Sequence, residues 1–164
     1  MSNWRDSNAG LGYGNTPFDV NTALVPAALR AIEGLSKSGV INSSYAATAA
    51  RYAQVWETQS LRFFDVNLTT SSATSRLENF AQQTNLTNAL ASVNNTNSTA
   101  SNLSFYAVSL DSDGTPVQVM NSDIGFNLLY GNNVSVATLE HAINVLQPYP
   151  RGLVSVLASS FRTV

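Results

Sequence analysis

The chain contains no cysteine and one histidine, His141, and only 11% of its residues are charged. Without cysteine there is no disulfide framework and no thiolate ligand, and a lone histidine cannot complete a zinc set. Charge is well below the roughly 25% of an ordinary globular domain, so solubility has to rest on Asn, Ser, Thr and Gln. The basic residues are scattered and the net charge is -2, which argues against a phosphate-binding surface and against nucleic acid as a partner. No window approaches the ~18 uninterrupted apolar residues of a membrane span. The opening "MSNWRDS" has neither a basic leader nor an apolar core, so no export signal is expected in this stretch. One feature pulls the other way. Sequons at Asn42, Asn67, Asn85, Asn94, Asn97, Asn102 and Asn133 hint at a secretory history and glycosylation, although a polar composition also makes such triplets by chance.

At 164 residues the chain fits one domain with a real core. Residues 3–18, "NWRDSNAGLGYGNTPF", are too rich in glycine for a helix or strand and read as a loop. A loop holding Trp4, Arg5 and Asp6 is a place for chemistry rather than packing. Its "GLGYG" is not a dinucleotide fingerprint, because the third glycine comes too early, at Gly14, and no strand precedes it.

From Asp19 onward Leu24, Ala28, Ala31, Ile32 and Leu35 recur at helical spacing, with Pro26 confined to the first turn, Asn21, Thr22 or a nearby residue as a cap and Gly39 as the stop. Ala46, Ala49, Ala50, Ala53 and Trp56 form the stripe of a second helix, giving an αα-hairpin over residues 19–64. "SRLE", Ser75 to Glu78, has the capping-box pattern and predicts a third helix carrying Leu77, Phe80 and Ala81. Residues 82–102 are of low complexity and read as an excursion. "LSFYAVSL" and "PVQVM" around "DSDGTP" predict a β-hairpin over 103–120. "IGFNLLY" fits a strand or a buried helix, and Ser135 caps a helix carrying Val136, Leu139, Ile143 and Leu146.

His141 lies within that last helix and reads as a surface or core histidine, since no G-x-S-x-G elbow presents a nucleophile to it. "DSDG" lacks the later ligands of a calcium loop. No metal and no cofactor is therefore expected, which leaves carboxylates. Two of them can hydrolyse a glycosidic bond unaided, one as acid and the other as base or nucleophile. Asp6, between Arg5 and Ser7, is the candidate acid, with a loop or capping aspartate as the plainer account.

"WRDSNAGLGYGNTPFDVNTALVPAALRAI", residues 4–32, resembles a segment of the six-hairpin glycosidases, in particular proteins similar to glycogen-debranching and related α-glucosidases. "YAQVWETQSLRFFDV", "VMNSDIGFNLLYGN" and "LQPYPRGL" look like later landmarks of the same proteins. The resemblance implies an (α/α)6 toroid, so the expected fold is mainly α with a small β-hairpin, a partial toroid of helical hairpins. It implies Asp6 as general acid, Trp4 and Arg5 shaping a glycone pocket, Asp19 and Asn21 holding sugar hydroxyls or the loop itself, and Asp123 as a further ligand of that kind. The chain is far shorter than the roughly twelve helices of at least ~11 residues that a toroid needs, and 154–164 look unrelated to the family. The expectation is one incomplete domain over 1–164, with 3–18 as cleft loop. It would bind carbohydrate, be inactive alone for want of a second carboxylate, and self-associate through exposed helical faces. The alternative is a secreted, non-catalytic carbohydrate-binding or interaction protein.

Overall fold

The alternation of Leu, Phe, Tyr and Val in "LSFYAVSL" makes an extended strand favourable, and that strand organises the molecule. In the computed structural model, which describes residues 7–85, 102–149 and 152–154, it spans Leu103–Leu110 and is buried from Phe105 to Leu110. It is the third strand, β3, of a four-stranded antiparallel sheet. The others are β1 (Thr16–Pro17), β2 (Asp65–Leu68) and β4 (Pro116–Met120). β2 pairs with the first half of β3, Asp65 opposite Tyr106 and Leu68 opposite Leu103. β1 and β4 pair with its second half, Thr16 and Pro116 both in register with Leu110. Pro17 is harmless in an edge strand, because the bonds to β3 come from the N–H groups of Asn15, 2.7 Å from Leu110 O, and Phe18, 2.9 Å from Val108 O.

Successive residues of β3 serve opposite faces. Tyr106 and Leu110 join Phe18, Phe64, Ile124, Ala142 and Val145 in the main core. Phe105 and Ala107 pack with Val66 in a smaller one. The ladder between β3 and β4 is irregular between Ala107 and Ser109. Buried Asn121 satisfies the backbone there, its Nδ2 donating to Tyr106 O and Ala107 O at 3.1 Å each. The turn between these strands places Gly114 at φ +86, as the Asp-Gly pair predicts.

The helices are α1 (Asn21–Lys37), α2 (Tyr45–Val55), α3 (Thr70–Gln83), α4 (Ile124–Tyr130) and α5 (Val136–Val145). α1 and α2 pack as the expected hairpin, and Gly39 takes φ +78 just after the C-cap of α1. Ser135 Oγ accepts the Thr138 N–H at 3.1 Å and caps α5 as the sequence indicates. α3 opens earlier than "SRLE" suggests. Thr69 caps it through the Ser72 N–H, so the capping-box residues lie inside the helix.

The partial toroid is not what forms. The chain is an α+β fold in which the sheet shares its main core with α4 and α5. Among the described residues the hairpin α1–α2 has no second helical hairpin beside it; α4 packs on α1, and α5 packs on β3. β3, paired along both edges, takes α5 onto its face, so this helix is not free to join a ring of hairpins. α5 shows the consequence, because its apolar stripe of Val136, Leu139, Ile143 and Leu146 is exposed while Thr138, His141, Ala142 and Val145 are buried. α1 behaves likewise: Leu24, Ile32 and Leu35 are exposed, whereas Thr22, Ala23, Pro26 and Ser36 are buried.

Candidate functional site

The glycines of "GLGYG" are accounted for by close packing on the sheet. A Cβ on Gly14 would stand 2.0 Å from Ser109 Oγ, and one on Gly12, at φ +59, would stand 2.8 Å from Val117 Cγ1. The loop is held to β3 by Ser109 Oγ, which donates to Leu11 O at 2.6 Å. It leads through β1 to Phe18, buried between Phe64 at 5.2 Å and Tyr106 at 5.6 Å between ring centroids. The flanking Asp19 is thereby fixed at the mouth of α1. Its Oδ1 accepts the Asn21 N–H at 2.9 Å and its Oδ2 the Asn21 amide at 3.3 Å. Asp19, a neighbour of Asn21 and Thr22, thus bonds the opening turn of the helix. Thr22 Oγ1 lies 2.8 Å from Asp19 O and 3.3 Å from Asn127 Oδ1, which ties this turn to α4.

Across from it, α2 passes into a π-helical turn, Trp56–Ser60, and then a 3₁₀ turn, Leu61–Phe64. The hydroxyls of Thr58 and Ser60 donate back to Gln54 O at 2.8 Å and Trp56 O at 2.5 Å, the kind of bonding that bends a helix. Glu57 in this turn pairs with Arg30 of α1, and the same guanidinium reaches Tyr130 O at 2.5 Å. A short π turn inside an α-helix is frequently found at functional sites.

Between these elements lies a cleft of about 330 Å³, within the size range of ligand pockets. Thr16, Pro17, Asp19, Asn21 and Thr22 line it from the loop and α1, and Leu110 from β3. Val55, Trp56, Gln59, Ser60, Phe63 and Phe64 line it from the end of α2 and its turns. Trp56 is half-buried and Phe63 exposed, and the surface of the cleft is almost wholly apolar, with Asp19, Asn21, Gln59 and Thr16 among the residues around it. Among the described residues Asp19 is the one carboxylate lining it, and both its oxygens already accept hydrogen bonds.

The residues singled out from sequence fare differently. Asp19 and Asn21 meet at the cleft. Trp4, Arg5 and Asp6 lie outside the described residues. Asp123 is 3% exposed at the N-cap of α4, donates its N–H to Asn121 Oδ1 at 2.9 Å, and does not line the cleft. Trp56 and Gln59 were missed as site residues. Trp56 closes an alanine stripe and reads as packing, and a π turn leaves no periodic signature.

His141 is a core residue. It is 4% exposed, stacks on Tyr106 at 4.3 Å between centroids, and has Asp65 Oδ1 2.7 Å from Nε2 and Ala137 O beside Nδ1. Both ring nitrogens face acceptors, so the ring can donate to both only when it carries both protons. Burial pushes the Tyr106 phenol above its usual range and the nearby Asp65 charge adds to this, while the Thr138 hydroxyl, 3.2 Å away, works against it. This cluster ties β2, β3 and α5 together. No group of three or more acidic or histidine side chains able to hold a metal occurs among the described residues, and among them no helix is long and apolar enough to cross a membrane.

Comparison with protein-family models, curated proteins and solved structures gives no match.

Proposed function

We propose that the chain is a carbohydrate-binding protein that takes an oligosaccharide in the Trp56–Asp19 cleft without hydrolysing it there. The observation that carries this reading is one apolar cleft pairing a half-buried indole with Asp19 and Asn21, which are hydrogen-bonded to each other, and with the Gln59 amide. A sugar ring has apolar C–H faces and a belt of hydroxyls; an aromatic wall takes the first, and amides and a carboxylate take the second. Hydrolysis calls for two carboxylates about 5 to 9.5 Å apart, whereas the described wall offers Asp19 alone, engaged in holding its own helix. Titration with maltooligosaccharides, followed by calorimetry and by chromatography of the sugar, tests it. Saturable binding that is lost in Trp56→Ala, with no product released, is the expected outcome. A response unchanged in Trp56→Ala, or none at all in the unaltered chain, removes the reading.

The residue pattern of 4–32 favours a second reading, in which the chain is a fragment of an α-glucoside hydrolase with Asp6 as its acid, completed by carboxylates from elsewhere. Hydrolysis retained by Asp6→Asn in the complete enzyme removes Asp6 from that role. In either case the exposed stripes of α1 and α5 support self-association, which sedimentation at increasing concentration measures.

A further inference from the structure

Tyr13 stands in the left-handed region of the backbone, at φ 67, and its side chain is 78% exposed. That conformation suits glycine and is costly for a bulky residue. The chain has glycine on either side, at Gly12 and Gly14, yet carries its large aromatic at the strained position between them. Burial gives back little at such exposure, so packing does not explain the choice.

The surrounding loop enforces the strain. Tyr13 N–H donates to Asn8 O at 2.7 Å, Gly14 N–H to Leu11 O at 3.1 Å and Gly10 N–H to Ser7 Oγ at 3.0 Å. Ser109 Oγ holds Leu11 O from the sheet, and Asn15 N–H holds Leu110 O. A rigid support thus presents an exposed aromatic ring. Thr16, three residues on, already lines the cleft, and three residues span at most about 11 Å.

We infer that Tyr13 is a second stacking residue, outside the cleft proper, that takes a further ring of a bound oligosaccharide. This rests on the reading of the cleft as a carbohydrate site. Longer ligands then gain a contact that short ones do not reach, and the loop's strain is offset by preorganisation of the ring.

The test compares maltose with maltohexaose on the unaltered chain, Tyr13→Gly, Tyr13→Phe and Trp56→Ala, alongside melting temperatures. Tyr13→Gly is expected to melt higher, since glycine relieves the strain, and to bind maltohexaose roughly three- to tenfold more weakly while maltose binding holds. Tyr13→Phe is expected to keep the preference for the longer sugar. Unchanged maltohexaose binding in Tyr13→Gly, with loss in Trp56→Ala, overturns this inference and leaves the cleft standing. Equal weakening for both sugars, or a lower melting temperature in Tyr13→Gly, also overturns it. Failure of the unaltered chain to bind either sugar overturns the cleft reading and this one together.

Discussion

The sheet side and the outer helical faces obey opposite rules. Around β3, Phe18, Phe64 and Tyr106 are buried in mutual ring contact, and the buried polar groups His141, Thr138 and Asn121 each have partners. On α1 and α5 the helical faces richest in Leu, Ile and Val are exposed, while serine, threonine and histidine are turned inward. Ser36 is the sharpest case, 1% exposed with no partner for its hydroxyl among the described residues. Hydrophobic periodicity therefore identifies a helix here without identifying the face it buries. For α5 the sheet, and for α1 the neighbouring helices, rather than the helices' own pattern, decide which way they point.

The largest test of this contrast is Phe18→Ala, which removes a fully buried ring between two others and is expected to cost about 3–5 kcal/mol in urea unfolding. A loss below about 1 kcal/mol would mean that the sheet side is not the core. Gly14→Ala comes next: its methyl meets Ser109 Oγ and Leu110 O, so a loss of about 1–3 kcal/mol is expected by the same measurement. Ser36→Ala should go the other way, raising stability by about 1 kcal/mol, because it removes an unpaired buried hydroxyl. Smallest of all, Ile143→Ser on the outer stripe of α5 should change the stability of the dilute chain by no more than about 0.5 kcal/mol. A loss of several kcal/mol there would show that the stripe is covered in solution, and the contrast between the two regions would fall.

Much of the local structure was legible because single residues dictate it. The Asp-Gly turn at Gly114, the stop at Gly39 and the Ser135 cap each follow from the backbone needs of one position. β2 was not legible, since Asp65–Leu68 is four residues long and follows directly on a 3₁₀ turn. Nor was the start of α3, where Thr69 and the internal Ser75 both carry capping chemistry and the pattern at Ser75 is the fuller one. The toroid expectation failed for a related reason. It extended a resemblance in residues to a ring of helices, and the pairing of β3 with β1 and β2 lies between residues far apart in sequence. At the cleft, Asp19 and Asn21 could be found from sequence because they sit together at a loop–helix boundary. Trp56 and Gln59 could not, because their place depends on a local change of helical pitch.

That change has a consequence for how the cleft could arise or be lost. A π turn bonds each residue to the one five along instead of four, so it holds one residue more than the α-helical turn it replaces. Deleting a single residue between Trp56 and Ser60 lets the ordinary ladder close, so the widened turn that brings Gln59 and Ser60 to the cleft beside Trp56 is lost while the chain beyond keeps nearly the same phase. The wall of the cleft is in that sense set by chain length, and a one-residue insertion or deletion is enough to open or erase it while the residues that line it stay the same.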